Sequence, residues 1–389
     1  MTEGKKISLL GTRGIPASHG GFETFVQYLA PFLVQNGWSV SVYCQVEGPG
    51  DINETTYLGV KLIHVPVRGI GTFSTIKFDW LSMMHALRHE GLLMSFGYPT
   101  GIFALFPYFL GRRHIINMDG IEWKRSQFGL IGRMWYYCNE RIAARFSDRL
   151  IADHPQIFSH LSTRCSADKI TMIPYGADLL GGFGEENILA LGLTKDEYAI
   201  VIARPETDNS ILEIVRTFSR CKRNIKLVVL GNYLASHPYH QEVLTVASDE
   251  VIFPGAIYEK LIVQELRKHA RFYLHGHKVG GTNPSLVEAL GANNAVIAHD
   301  NLFNRWVAES SALYFNDEDE LHTLIDKLIH DTNEISKLRQ AALKRFQEGL
   351  TWDEILDQYL DMIESENVGR RQSTKSVISY IKDKFLWKK

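Results

Sequence analysis

Short apolar runs and longer amphipathic stretches alternate along most of the chain. Residues 7–10 form an apolar run that stops at Gly11, and residues 22–35 place apolar side chains at helical spacing up to Gly37. Residues 39–44, 60–65, 114–117, 149–152 and 169–173 are further β-type runs, with helical patterns between most of them. The pattern pauses at Pro174-Tyr175-Gly176-Ala177-Asp178, and Gly181-Gly182-Phe183-Gly184 follows, which marks a linker. A second series occupies residues 198–203, 226–230, 250–253, 271–274 and 295–298; from about 317 to 367 only helical patterns remain. Such alternation predicts parallel strands joined by crossover helices, hence an α/β fold. Two doubly wound sheets in tandem are expected, with ligands beyond the carboxyl ends of the strands in a cleft between them. The expected domains are 1–182, 183–350 and a helical segment 351–389 that packs back toward the first domain.

Composition narrows this little. A chain of 389 residues suits two cores, and 45% hydrophobic with 22% charged residues is ordinary for a globular protein. The net charge of -2 gives no global case for nucleic-acid binding. Cys44, Cys138, Cys165 and Cys221 are scattered, which argues against a disulfide frame or a zinc knuckle. The first residues lead directly into a strand rather than a signal-peptide apolar region, and the apolar run 101–110 is interrupted by Pro107 and too short to span a bilayer. A cytoplasmic location is expected.

The densest chemistry lies in residues 274–290, Leu-His-Gly-His-Lys-Val-Gly-Gly-Thr-Asn-Pro-Ser-Leu-Val-Glu-Ala-Leu. An apolar strand runs into a glycine bend and then a helix start, with Asn283 as N-cap and Pro284 at the first helical position. Gly280 and Gly281 let backbone approach a ligand, and the N–H groups of the first turn suit a phosphate. Glu288 shares a helix face with Ser285, and a carboxylate beside a phosphate site can accept hydrogen bonds from sugar hydroxyls. Earlier, Gly11-Thr12-Arg13-Gly14-Ile15-Pro16 is followed by Gly20-Gly21-Phe22-Glu23, a strand-to-helix loop too long for the dinucleotide fingerprint. It is either a substrate-contacting loop or a structural turn.

Taken in order, Gly20-Gly21-Phe22-Glu23, Asn117-Met118-Asp119-Gly120-Ile121-Glu122-Trp123, Ile173-Pro174-Tyr175-Gly176-Ala177-Asp178, Ala203-Arg204-Pro205-Glu206, His275-Gly276-His277, Gly280-Gly281-Thr282-Asn283-Pro284-Ser285 and Glu288-Ala289-Leu290 resemble the GT-B retaining glycosyltransferases of family 4. Within them the likeness is to bacterial rhamnosyltransferases of cell-surface polysaccharide synthesis. The resemblance spans nearly the whole chain and implies two Rossmann-like domains. It implies a transferase that moves a sugar, rhamnose from dTDP-rhamnose, to a lipid-linked saccharide. Arg204 is then expected to bind the donor pyrophosphate and stabilise its growing charge, and Glu288 to accept from the nucleotide ribose. Gly20, Gly21, His275, Gly280, Gly281, Thr282, Asn283 and Ser285 complete the expected donor site. Arg13, Glu23, Asp119 and Glu122 are the expected acceptor-side residues, and Asp119 joins Arg204 and Glu288 as the expected catalytic set. No metal is expected, and no cofactor beyond a dTDP- or UDP-linked donor.

Two departures from the family pattern stand out. Gly280 occupies the place of a glutamate that holds the transferred sugar, and Glu206, Thr207, Asp208 and Asn209 stand where a lysine assists the arginine. Met118 replaces a frequent histidine. Asp119 could orient the acceptor hydroxyl, act as a general base, or serve as a packing or N-cap residue. His275 and His277 alternate on a strand end and could touch phosphate or sugar or be structural. Asp317-Glu318-Asp319 has the spacing of a metal motif but reads as an acidic helix start. Residues 112–149 interleave basic and aromatic positions, which fits either contact with an anionic membrane or a helix with a buried face; the basic amphipathic tail after Arg370 favours the membrane. The competing functions are a UDP-hexose transferase, a nucleotide-sugar epimerase, a phosphorylase and a non-catalytic saccharide-binding protein.

Overall fold

The computed structural model describes residues 4–17, 20–69, 71–125 and 128–368. The chain forms two compact units, Met1–Pro174 with Leu356–Lys389, and Tyr175–Ile355.

The first unit is built on eight strands: β1 (Lys6–Leu10), β2 (Ser39–Glu47), β3 (Asn53–Tyr57), β4 (Val60–Val67), β5 (Leu92–Phe96), β6 (His114–Asn117), β7 (Arg149–Ala152) and β8 (Ile170–Met172). Their order is β3-β4-β2-β1-β5-β6-β7-β8, parallel except for β3 against β4. Strand β1 is buried from Ile7 to Leu10 because helices cover the sheet on both faces, so its residues need no polar alternation. Edge strand β3, Asn-Glu-Thr-Thr-Tyr, has hardly any burial, which is why no apolar run announces it.

The second unit holds β9 (Tyr198–Ile202), β10 (Lys226–Leu230), β11 (Val251–Ile252), β12 (Phe272–His275), β13 (Val296–His299) and β14 (Ala312–Phe315), in the all-parallel order β11-β10-β9-β12-β13-β14. Alternate residues of β9 feed opposite cores: Tyr198 and Ile200 pack with Leu286, Val287 and Leu290, whereas Ala199 and Val201 pack with Ile211, Ile214 and Phe218.

In both sheets the chain order reverses beside the first strand, between β1 and β5 and between β9 and β12. Ligands of open α/β sheets bind beyond the carboxyl ends of the strands at these points. The first is tightly closed: a Cβ on Gly11, whose φ is +81°, would lie 2.5 Å from the Phe96 carbonyl oxygen. A cavity of about 20 Å³ lies beneath it, lined by Asp79, Ser95, Thr100 and His114 among others. That is room for about one water, not a sugar.

The unit boundary differs from the expected one at residue 182. Residues 175–180 bond into the second unit: Ala177 donates its N–H to Leu350, Leu180 donates to Gly291, and Asp178 pairs with Lys260 at 2.7 Å. The last helix, Trp352–Val368, changes unit after Ile355. Its later part packs on the first unit, where Glu366 pairs with Arg113 and Arg149. The tail after Arg370 lies outside the described residues.

Candidate active site

In the second unit, two loops flank the reversal point. One follows β9 and begins Ala203-Arg204; the other follows β12 and covers residues 276–283. They are knitted together. The Lys278 N–H donates to the Asp208 carbonyl at 2.8 Å, and any side chain on Gly276 would collide with the Asn209 carbonyl. Arg204 is 68% exposed and pairs with Glu206 at 3.2 Å, so its guanidinium is presented to solvent. Gly280 has φ +148°, and an added Cβ would press on the Asn283 amide, so this backbone excludes a glutamate without rearrangement.

The helix Pro284–Gly291 starts as expected, but Asn283 does not cap it with its side chain; the amide folds back beneath Gly280 instead. Thr282 is buried, and the buried Tyr273, near Ser285, donates its hydroxyl to the Ile202 carbonyl at 3.3 Å. The Thr282 side chain is therefore withdrawn from solvent, at the start of the helix Pro284–Gly291. Glu288 is part-exposed and held at 2.5 Å by the buried Arg267. Sequence reasoning missed Arg267, which fixes the direction of that carboxylate from another helix. His275 is only 1% exposed and stacks on His277 with ring centroids 4.4 Å apart. Desolvation, then the neighbouring His277, holds its proton affinity well below the usual value, so it packs in the interior as a neutral ring. Of the two roles open to it, the structural one fits this burial.

In the first unit, the turn after β6 carries Asp119 and Glu122. Asp119 has φ +53°, a left-handed conformation uncommon outside glycine that costs about 1 kcal/mol or more. The surroundings over-determine it. The Asp119 N–H donates to Asn117 Oδ1 at 3.1 Å, and Asn117 Nδ2 donates to the buried Tyr359 hydroxyl at 2.9 Å. The Tyr98 hydroxyl, also buried, donates to the Gly120 carbonyl and accepts from the Glu122 N–H at 2.8 Å. Trp123 Nε1 donates to buried Glu140 at 2.8 Å. Burial alone would raise the Glu140 carboxyl, but hydrogen bonds from His160 and Arg164 outweigh it and hold the group below the usual range. Glu122 pairs with Arg125 at 2.8 Å.

The first loop is braced likewise. Glu23 accepts the Arg13 backbone N–H at 2.8 Å, and its carboxylate fills the space a Cβ on Gly20 would need. Gly20, with φ +98°, and Gly21 open the helix Gly21–Gln35, and the Arg13 side chain points to an exposed surface. Asp317 caps a helix by accepting from Asp319 and Glu320, as an acidic helix start should.

Comparison with solved structures decides the fold. Sucrose-phosphate synthase from Thermosynechococcus elongatus superposes with a TM-score of 0.78 at 17% identity, covering 93% of this chain and 98% of that one. Anabaena HepE in complex with UDP-glucose gives 0.73 at 14% identity, with 93% and 100% coverage. The UDP-forming trehalose-phosphate synthase from Burkholderia vietnamiensis gives 0.72 at 10%, with the same coverage. The chain has the GT-B fold. Residues 212–361 match a family model described as glycosyl transferase-like, and residues 4–178 match a domain of unknown function, DUF1972. No curated protein sequence matches the chain. The glycosyl transferase-like segment contains the Gly280–Ser285 loop, Arg267 and Glu288, and also Tyr359; Asp119 and its braces Tyr98, Asn117 and Glu140 belong to the other match.

Proposed function

We propose that the protein is a retaining glycosyltransferase that moves a sugar from a nucleotide-sugar donor, dTDP-rhamnose above all, to a lipid-linked saccharide in surface polysaccharide synthesis. The observation that carries the reading is the pairing of a glycosyl transferase-like segment with a glycine loop at the reversal point of its sheet. That loop offers backbone N–H groups, Arg204 a solvent-facing cation, and Glu288 an oriented carboxylate for ribose hydroxyls. HepE, solved in complex with UDP-glucose, and the UDP-forming trehalose-phosphate synthase have the same fold.

The acceptor hydroxyl oxygen attacks the anomeric carbon as the bond from that carbon to the phosphate oxygen breaks. The diphosphate leaves with the electron pair and takes the acceptor proton on the same face. Arg204 and the loop N–H groups stabilise the charge that gathers on it. Asp119 orients the acceptor hydroxyl. Gly280 leaves no carboxylate where many transferases of this kind hold the transferred sugar, which weakens the case for an ordinary UDP-hexose donor. No metal takes part in this scheme.

A membrane-bound acceptor suits the helix Leu130–Phe146. Its first two turns expose Leu130, Ile131, Met134, Trp135 and Tyr137 with Arg133 among them, while its buried residues begin only at Asn139. An apolar, basic helix face of this kind binds an anionic bilayer surface from the cytoplasmic side. No helix among the described residues is long and apolar enough to cross a membrane. Transfer is tested by mixing the protein with dTDP-rhamnose and a lipid extract; dTDP release that requires the extract supports the reading, and UDP-hexoses outperforming dTDP-rhamnose would overturn the sugar assignment.

A further inference from the structure

A diphosphate leaving group carries multiple negative charges, and one arginine neutralises them incompletely. Within the two loops that flank the reversal point of the second sheet, residues 203–209 and 275–283, the Lys/Arg side chains are Arg204 and Lys278. Lys278 is far from Arg204 in sequence. Its backbone N–H nevertheless donates to the Asp208 carbonyl at 2.8 Å, which joins its loop to the one that bears Arg204. Its side chain is 38% exposed, and its ammonium pairs with Glu213 at 2.8 Å, on the first turn of the helix that follows the Arg204 loop.

We propose that Lys278 is the second cation of the donor diphosphate site, supplied from the β12 loop instead of from the segment after Arg204. This rests on the glycosyltransferase reading above. Arg204 and Lys278 share one design: each is partly exposed and held by a carboxylate, Glu206 and Glu213 respectively. Solvent-exposed pairs of this kind are weak, so a phosphate that brings more charge displaces the carboxylate at little cost. The pairing keeps each cation near the loop, ready to swing to the ligand, and the carboxylate takes it back when the nucleotide leaves. A lysine that serves only to pin two loops would behave differently, because removing either partner of the pair would then have the same consequence.

Calorimetric titration of UDP and dTDP into the full chain distinguishes the two. Lys278→Met should weaken diphosphate affinity roughly tenfold or more, Lys278→Arg should restore most of it, and Glu213→Gln should leave it unchanged or tighter. Melting temperatures of the three variants report the fold. Diphosphate affinity unchanged in Lys278→Met, or lost equally in Glu213→Gln and Lys278→Met, overturns the assignment. A wild-type chain that binds neither diphosphate overturns the glycosyltransferase reading along with it.

Discussion

The turn after β6 and the loop after β12 lie at the carboxyl ends of their sheets, yet they are built on opposite principles. The Asp119 turn is locked by buried hydrogen bonds to Tyr98, Glu140 and, through Asn117, Tyr359, residues distant along the chain. The Gly280 loop is shaped by glycine and by half-exposed ion pairs such as Lys278 with Glu213. The difference follows from what each would have to do. Orienting one hydroxyl needs a carboxylate fixed to within fractions of an ångström, so its backbone must be over-determined. Gripping and releasing a diphosphate needs bare backbone N–H groups and cations free to change partners.

Glu140 is the strongest test of the rigid side. Glu140→Ala leaves Arg164 and His160 without their buried carboxylate and should cost about 3–5 kcal/mol in urea unfolding. A loss within about 0.5 kcal/mol, the level of an ordinary surface change, would mean that the turn is not braced in this way. On the adaptable side, Arg204→Ala should lower the transfer rate about 100- to 1000-fold while the melting temperature holds, because its guanidinium touches solvent and a single carboxylate.

Rigidity also has a cost in the first unit. Burial lifts the Asp79 carboxyl from its ordinary 3.8 to about 6 despite the Thr100 hydroxyl bond. A carboxyl raised in the folded state favours folding in its protonated form, so the penalty is absent below about pH 4 and complete above about pH 6. Asp79→Asn should therefore stabilise the protein by up to about 3 kcal/mol at pH 8 and hardly at all at pH 4. Thermal unfolding at the two pH values checks it, and an equal effect at both would contradict the burial argument. The smallest effect belongs to Tyr98→Phe. Losing one hydroxyl leaves the Gly120 carbonyl and the Glu122 N–H without their partner; it should raise the KM for acceptor about tenfold and cost about 1–3 kcal/mol of stability, with diphosphate affinity nearly unchanged. A parallel loss of diphosphate affinity would erase the contrast between the two regions.

Much of this architecture is legible in the sequence. Ile7–Leu10 or Lys226–Leu230 show as apolar runs because a doubly covered parallel strand is apolar on both faces. Strands β3, β5 and β14 escape that reading. Asn53–Tyr57 is an exposed edge held by its partner strand, whereas Leu92–Phe96 and Ala312–Phe315 are apolar runs of only 5 and 4 residues, too short to tell from buried helix by periodicity. The domain boundary shifted for a similar reason: Gly181 and Gly182 look like a linker, but Ala177 and Leu180 already bond into the second unit. At the candidate site, the glycine loop and Arg204 carry local signals. Arg267 behind Glu288, Tyr98 and Glu140 behind Asp119, and Lys278 beside Asp208 do not, because their roles come from long-range packing. Asn283 illustrates the converse: its position is the N-cap, while its side chain serves Gly280.

The central claim is that this fold transfers a sugar from a nucleotide. Its most direct test is to incubate the protein with a panel of dTDP- and UDP-sugars, with and without a membrane lipid extract, and to follow nucleoside diphosphate release together with the anomeric configuration of the product. The account predicts release that depends on the lipid extract, greatest with dTDP-rhamnose, and a product that retains the donor configuration. Silence across the whole panel with folded protein, or an inverted product, would contradict it.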